Sequence, residues 1–190
     1  MRYYEYHFTD KVYIHRSRFV KIFFECFEST IIALVSSFLI LTFIVRSVSV
    51  SGTSMLDTLK DGDRLIVTNL FYTPSNGDVV VISHGQHYDK PIIKRIIATG
   101  GQTLSINFNS GDVFVDGEKI YEPYIKNLTT KPGDTEIPKI IPKGYIFVMG
   151  DNRDDSHDSR YYDVGLIDEV NILGKAEFIV SPFNRIRRIY

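Results

Sequence analysis

The 190-residue sequence contains a single cysteine, Cys26, and no tryptophan. One cysteine excludes an internal disulfide and any metal site built from several thiolates, and it leaves the redox compartment open. The net charge of −1 gives no electrostatic reason to expect nucleic-acid binding, so we predict no nucleic-acid partner. Glycine and proline occur at ordinary levels and aromatic residues make up 13% of the chain, which argues against disorder.

Charge is missing from residues 29–45, which read STIIALVSSFLILTFIV. As a helix this run rises about 25 Å, slightly less than the roughly 30 Å hydrocarbon core of a bilayer. The run is apolar on all sides, which favours a membrane anchor over the buried helix of a soluble protein. A cleavable signal peptide is a further alternative, because Ser47 and Ser49 have the spacing of a cleavage site, although Arg46 interrupts the pattern.

Basic residues flank this run unequally. Only Arg46 follows it closely, whereas the segment before it contains Arg2, Lys11, Arg16, Arg18 and Lys21. Because the cytoplasmic flanks of membrane helices are enriched in Lys and Arg, the asymmetry places the N-terminus in the cytoplasm. We therefore predict a cytoplasmic N-terminal segment at residues 1–28, a single transmembrane anchor at 29–46 and an extracytoplasmic β-rich domain at 47–190.

The remainder of the chain has the pattern of short strands between turns, which predicts a mainly β, mostly antiparallel domain. The clearest strand candidates are RLIVTNL, DVVVIS, GYIFVMGD and GKAEFIV. In DVFVDGEKI, the pair Asp116-Gly117 favours a hairpin turn of type I′, which requires positive φ at both residues. The basic ending NRIRRIY is predicted to be a solvated tail, with contact to anionic lipid headgroups as the alternative.

Two adjacent charges interrupt the apolar stretch KPIIKRIIATGG. Alternation along a strand places Lys94 and Arg95 on opposite faces, so one of them faces the core unless the strand is an edge with both heads in water. Burial of Lys94 would lower its pKa, and a shift from about 10.4 to about 8 requires roughly 3 kcal/mol. A neutral amine is a general base for a hydroxyl, and Ser54 in SGTSMLDTL offers one.

The acidic segment GDNRDDSHDSRYYD, residues 150–163, has several interpretations. A calcium loop fits poorly, because Arg153 and Ser156 stand where a ligand and a glycine are required. The segment is otherwise a solvated loop, or a scaffold of Asp–Arg pairs that holds Ser156 against Lys94. It also contains His157, so a Ser54–His157–Asp triad remains an alternative to the lysine.

Taken in order, these motifs resemble the boxes of the bacterial type I signal peptidases, membrane-bound Ser–Lys enzymes that remove signal peptides from exported proteins. SGTSMLDTL resembles the nucleophile box, IKRIIATGG the lysine box, and MGDNRDDSHDSR the third and most specific box. GDRLIV and NGDVVVI resemble the strands between the first two boxes. The resemblance covers roughly residues 50–180, and it implies a β-sheet catalytic domain of the signal peptidase type.

The resemblance also implies roles for particular residues. Ser54 would be the nucleophile, Lys94 the general base, and Ser156 the residue that orients the lysine amine. The backbone around the nucleophile would bind the oxyanion and the substrate, and the rest of the third box would form a scaffold. The backbone residues are Gly52, Thr53 and Met55, and the N–H of Ser54 would be the first oxyanion donor. The scaffold residues are Asp151, Arg153, Asp158 and Arg160.

The same resemblance implies no metal and no cofactor. Its partners would be preprotein signal peptides with small residues before the cleavage point, the lipid bilayer, and the protein export machinery nearby. The location would be the bacterial plasma membrane, crossed once, with the catalytic domain on the outer face.

The sequence departs from the family pattern at three places. Asp57 stands where the family usually has proline, Gly100-Gly101-Gln102 replaces Pro-Gly-Asp, and Gly52 replaces a serine found in some members. These departures keep open a catalytically silent, membrane-tethered β domain that binds exported peptides. A self-cleaving repressor-like Ser–Lys protease is disfavoured by the anchor and by the lack of a DNA-binding helix pair.

Overall fold

The computed structural model describes the backbone of residues 4–190 and the side chains of residues 18–39 and 46–190. The chain divides into two compact units between Ile44 and Val45. The first unit is one helix, α1, from Tyr4 to Ile44. Within it, Arg18–Leu39 is long and apolar enough to cross a membrane, by length and composition, with a mean hydropathy of 1.7.

Two hydroxyl side chains at the start of the apolar run, Ser29 and Thr30, are hydrogen-bonded within α1. The hydroxyls of Ser29 and Thr30 each donate to the backbone carbonyl four residues earlier, at 2.8 Å. A polar group that is hydrogen-bonded inside its own helix is tolerated in a hydrocarbon environment. These two residues are therefore compatible with the predicted anchor.

The second unit contains eleven short strands in two antiparallel sheets. The larger sheet has the order β1-β2-β10-β3-β4-β8-β9, with β11 paired to β10, and the smaller sheet has the order β5-β6-β7. The strands are β1 Val45–Ser49, β2 Arg64–Thr68, β3 Val79–Ile82, β4 Ile92–Thr99, β5 Leu104–Asn107, β6 Asp112–Val115, β7 Glu118–Lys119, β8 Tyr145–Met149, β9 Ile167–Asp168, β10 Ile172–Ser181 and β11 Arg187–Arg188. The predicted mainly β, antiparallel class is confirmed.

Each predicted strand is present, and the predicted hairpin joins β6 and β7. Asp116 and Gly117 have φ values of 52° and 82°, as a type I′ turn requires. The structure adds β1, whose sequence VRSVS has the composition of a linker and becomes a strand by pairing with β2. It also places β10 between β2 and β3, near the middle of the larger sheet.

Strand β4 is an interior strand, paired with β3 and β8, and its residues 94–98 are buried on both faces of the sheet. Lys94 and Arg95 therefore both lie in the interior, at 4% and 1% exposure. The expectation of a single inward charge was wrong, as was the alternative of an edge strand. The reason is topological, because alternation along a strand gives one solvated face only when one face of the sheet is open.

The predicted solvated tail is also wrong. Residues 187–188 form β11 on β10, and the side chain of Ile189 is only 6% exposed, in the same core cluster as Leu65 and Ile179. Arg185 forms an ion pair with the buried Asp63. The burial of Ile189 in the core and the ion pair of Arg185 with Asp63, which comes from a distant part of the chain, hold this segment on the domain.

The core makes a direct stability prediction at Ile146, a fully buried residue of β8 that packs with Val80 and Ile96. Replacing it with alanine removes buried methylene groups and leaves a cavity, so Ile146→Ala is expected to cost about 2–5 kcal/mol. The measurement is thermal unfolding of the full chain in detergent, followed by the near-ultraviolet dichroism of its tyrosines. The exposed Val170 is the control, and Val170→Ala is expected to change stability by less than about 0.5 kcal/mol. Equal losses in the two variants would contradict this packing.

Candidate active site

Ser54 lies on the loop between β1 and β2, residues 50–63, here called the serine loop. The loop closes on itself, because the N–H of Val50 donates to the carbonyl of Asp63 at 2.8 Å. The side chains of Met55 and Leu59 are buried in the core and anchor the middle of the loop. The serine hydroxyl is thus carried by a segment fixed at its ends and at its centre.

Lys94 reaches this hydroxyl from β4. Its Nζ donates a hydrogen bond to the Oγ of Ser54 at 2.8 Å. Burial is the largest influence on the amine and lowers its pKa from 10.5 to about 8. The charge of Arg160 acts in the same direction, while Asp158 and Asp151 oppose it without reversing the shift. A substantial fraction of Lys94 is therefore neutral near pH 8.

The acidic segment holds the serine loop from the other side. The backbone N–H of Asn152 donates to the carbonyl of Ser54 at 3.0 Å, and its side-chain amide donates to the carbonyl of Thr53 at 3.1 Å. The hydroxyl of Thr53 donates to Asp155 at 2.5 Å. The two bonds from Asn152 fix the peptide groups before and after the Cα of Ser54, and the third bond holds the side chain of Thr53.

Asp151 is held by an arginine that sequence reasoning did not include in the site. The Nε and Nη2 of Arg95 donate to its two carboxylate oxygens at 2.8 and 2.6 Å, and both side chains are buried. The guanidinium also stacks on the ring of Tyr124, 3.8 Å from its centroid. The presence of an arginine directly after the lysine was the available signal, because a buried arginine requires a carboxylate partner.

The other three predicted scaffold residues, Arg153, Asp158 and Arg160, are also buried, and Arg153 has a partner that the sequence did not indicate. Arg160 binds Asp158 through Nε and Nη2 at 2.8 and 2.9 Å. Arg153 forms an ion pair with Glu122 and donates a hydrogen bond to Thr129. Both partners lie in the long connection between β7 and β8. Two carboxylates of this segment, Asp151 and Asp158, are thus each bound by an arginine.

Ser156 is close to the lysine but is not its hydrogen-bond partner. Its hydroxyl donates to Asp158 at 2.7 Å, and among the described residues the amine of Lys94 donates only to Ser54. The two side chains line the same cleft. Ser156 is therefore connected to the lysine through Asp158, whose charge acts on the amine.

Gly150, at the end of β8, allows this close packing. A Cβ built at this position would lie 2.2 Å from the Oγ of Ser156 and 2.5 Å from the carbonyl oxygen of Ser54. No side chain fits between them. Sequence reasoning treated Gly150 only as the end of a strand, since the two groups that approach it come from other parts of the chain.

The three predicted backbone-binding residues have different environments. The N–H of Gly52 already donates to Asp61 at 2.9 Å, and the side chain of Met55 belongs to the core. Within the described part of the chain, the N–H of Ser54 donates to no protein acceptor. Gly52 has φ = 94°, a conformation that L side chains rarely adopt, which explains a glycine at this position.

An open cleft of about 690 Å³ surrounds the serine and the lysine. Its lining includes residues 48–55, 90–94 and 154–157. His157, also in this lining, contacts Asp163 through Nε2 at 2.7 Å, but among the described residues it makes no hydrogen bond to Ser54, whose hydroxyl contacts Lys94 instead. A second cavity of about 680 Å³, near His84 and Glu136, contains neither Ser54 nor Lys94.

Comparison with known proteins identifies the family of this chain. A family model described as signal peptidase, peptidase S26, matches residues 23–181. The chain belongs to this family. A probable signal peptidase I-1 of Synechocystis sp. is 37% identical over 165 residues, which cover 81% of this chain and 80% of that protein. Signal peptidase I of Bacillus licheniformis is 35% identical over 175 residues, which cover 87% and 92% of the two chains.

Further matches include signal peptidase IB of Staphylococcus aureus, 35% identical over 181 residues that cover 86% of this chain and 92% of that protein. A crystal structure of a signal peptidase I from Enterococcus faecalis aligns with a TM-score of 0.48 and 22% identity, over 55% of this chain and 97% of that chain. The sequence matches confirm the family predicted from the three motifs. The protein is a serine peptidase of the signal peptidase I type, and its N-terminal apolar helix is consistent with membrane anchoring.

Gly150 supplies a prediction for this site. In Gly150→Ala the new Cβ has to displace the carbonyl of Ser54, and a misplacement of about 1 Å costs on the order of 100-fold in rate. The measurements are the rate of preprotein cleavage and the melting temperature of the same variant, so that a loss of rate can be distinguished from a loss of stability.

Gly100→Ala is the matched control for that variant. Its Cβ would also meet backbone, 2.9 Å from the Cα of Lys143, but this glycine does not line the cleft. It is expected to lower the melting temperature while the folded enzyme keeps its rate. Wild-type cleavage by Gly150→Ala would contradict the proposed contact between the two loops.

Proposed function

We propose that this protein is a membrane-anchored endopeptidase that removes signal peptides from exported preproteins, with Ser54 as the nucleophile and Lys94 as the general base. The observation that carries the proposal is the 2.8 Å contact between the Nζ of Lys94 and the Oγ of Ser54. A serine hydroxyl is a poor nucleophile until a neighbouring base takes its proton. The buried amine, with its pKa lowered to about 8, meets that requirement near neutral pH.

The first chemical step transfers the hydroxyl proton of Ser54 to the neutral amine of Lys94 as Oγ attacks the scissile carbonyl. A tetrahedral intermediate forms, and its oxygen becomes negatively charged. When the C–N bond breaks, the ammonium of Lys94 returns the proton to the leaving amine. The signal peptide is then esterified to Ser54, and the amine is neutral again.

The second step hydrolyses this ester. A water molecule in the cleft loses a proton to Lys94 and attacks the acyl carbon. Collapse of the second tetrahedral intermediate breaks the ester bond, and Lys94 returns the proton to the Oγ of Ser54. Both acylation and deacylation move protons through the amine of Lys94. The orientation of this amine toward Ser54 is therefore important for both steps.

The negative oxygen of both intermediates needs hydrogen-bond donors. The backbone N–H of Ser54 is our candidate, because it has no acceptor among the described residues and belongs to the attacking residue itself. The bonds from Asn152 hold the peptide groups around it in place. Gly52 and Thr53 then serve as backbone next to the substrate, and Met55 keeps the loop on the core.

The scaffold positions the base. Asp158, fixed by Arg160 and by the hydroxyl of Ser156, lies near enough to influence the charge of Lys94. We assign Ser156 to the orientation of the lysine through this carboxylate. Asp151 and Arg153 hold the remainder of the acidic segment, and their roles are structural.

An extended preprotein fits the shape of the cleft. Strand β1 is an edge strand, paired only with β2, and residues 48–55 continue from it along one side of the cleft. A substrate strand can add backbone hydrogen bonds to such an edge. The proposed substrates are the signal peptides of preproteins, with small residues before the cleavage point. The relatives named signal peptidase I support this proposal.

Location follows from the same assignment. The proposed arrangement has a cytoplasmic segment at residues 1–28, one membrane crossing at 29–46, and a catalytic domain at 47–190 on the outer face of the bacterial plasma membrane, near the protein export machinery. The basic residues before the apolar run support this orientation. Only four residues separate β1 from Ser54, so the nucleophile is tied closely to the point where the chain leaves the anchor.

Two substitutions test the dyad. Ser54→Ala and Lys94→Ala are each expected to lower the rate of preprotein cleavage by at least about 1000-fold, because each removes a reacting group. The assay is cleavage of a purified preprotein by the full chain in detergent. Ser110→Ala and Lys139→Ala, which change residues of the same types outside the cleft, serve as controls. Equal cleavage by all variants would exclude the dyad, and no cleavage by the wild type would favour the peptide-binding domain.

The lowered pKa predicts the pH dependence of the rate. Below about pH 8 each unit of pH changes the neutral fraction of Lys94 about tenfold, so kcat/KM should rise about tenfold from pH 6 to pH 7 and level off above pH 8 to 9. The profile is measured on the full chain with one preprotein. A plateau already reached by pH 7, together with loss of activity in His157→Ala, would contradict Lys94 as the base and point to the histidine.

A further inference from the structure

The last residues of the sequence contact the serine loop at two points remote from the cleft. Arg185 binds Asp63 through Nε and Nη2, at 2.9 and 2.8 Å, where the loop enters β2. Asp63 is only 1% exposed, and its side chain also accepts from the backbone N–H of Lys60 at 2.8 Å. Arg185 thus fixes the carboxylate that shapes this end of the loop.

The second contact lies nearer the middle of the loop. The Nη2 of Arg187 donates to the backbone carbonyl of Thr58 at 2.7 Å. The hydroxyl of Thr58 in turn donates to Asp151 at 2.5 Å, and Asp151 begins the acidic segment that holds Ser54. Arg187 therefore acts on a residue that joins the two halves of the candidate active site.

The cationic neighbours of Asp63 stabilise its charged form. Burial alone would raise the pKa of Asp63, but the hydrogen bonds from Arg185 and from the Lys60 backbone, with the charges of Arg185 and Arg187, lower it. A buried carboxylate that loses its cationic partner is left uncompensated, and its surroundings rearrange. Removal of Arg185 is therefore expected to disturb the loop more than removal of an ordinary surface charge.

We propose that Arg185 and Arg187 are positioning residues that hold the serine loop in the geometry in which Ser54 contacts Lys94. The proposal rests on the assignment of Ser54 and Lys94 under Proposed function. Neither arginine lines the cleft, so they act through the loop and not on the substrate. The chemical step depends on the position of Ser54, whereas substrate binding uses the walls of the cleft, which these arginines do not form.

The test compares Arg185→Ala, Arg187→Ala and the double variant with Arg188→Ala. Arg188 lies in the same segment and carries the same charge, but within the described residues it donates no side-chain hydrogen bond to the serine loop. We expect kcat for preprotein cleavage to fall about tenfold in each single variant and further in the double variant, with KM within twofold of wild type. Arg187→Lys, which keeps a donor for Thr58, should recover most of the rate.

A second measurement does not depend on activity. Hydrogen exchange of the backbone N–H groups of residues 52–60 reports the order of the loop, in which Leu59 donates to Met55 and Gly52 to Asp61. Exchange in this segment should become about tenfold faster in the double variant, and should stay at the wild-type rate in Arg188→Ala.

The outcomes separate the two proposals. Suppose that the wild type cleaves and Ser54→Ala does not. If the double variant then has the same kcat and the same exchange rates as the wild type, the positioning role is overturned and the dyad remains intact. Equal loss in Arg188→Ala, or a loss that only follows the unfolded fraction, overturns it as well. If the wild type does not cleave, the dyad falls, and the exchange rates alone decide whether the two arginines hold the loop.

Discussion

A single hydrogen bond, from the amine of Lys94 to the hydroxyl of Ser54, is the contact around which the domain is arranged. It requires a lysine inside the protein, which is unfavourable unless the amine can give up its charge. Strand β4 supplies this environment because it lies inside the larger sheet and is buried on both faces. The serine must then be brought to a buried residue, and the closed, core-anchored loop that carries Ser54 achieves this without an additional domain.

Burial of one reactive lysine is accompanied by burial of three arginines. Arg95, Arg153 and Arg160 are all nearly inaccessible, and each faces a carboxylate in the interior. Such pairs contribute little net stability, since the cost of removing both charges from water offsets their attraction. Their directional, two-point hydrogen bonds instead specify one conformation of the acidic segment. That segment in turn determines where the backbone of Ser54 lies.

Local pattern was sufficient for much of the fold. Runs of β-branched residues marked β2, β3 and β4, and Asp116-Gly117 marked the one turn whose type could be inferred. These features depend on neighbours in the sequence. Strand β1 and the segment of β11 were not recognised, because short, polar or basic stretches become strands only when a partner strand lies beside them. The central position of β10 likewise depends on long-range pairing.

The sequence by itself determined the family, because three motifs in the right order resemble those of the signal peptidases, and it singled out Ser54 and Lys94 as the proposed dyad. Only the tertiary structure decided which groups surround them. Arg95 against Asp151, Glu122 against Arg153, and Gly150 between Ser54 and Ser156 join residues far apart in the chain. Their contacts arise from the crossing of loops and strands, and no periodicity along the sequence encodes a distance of that kind.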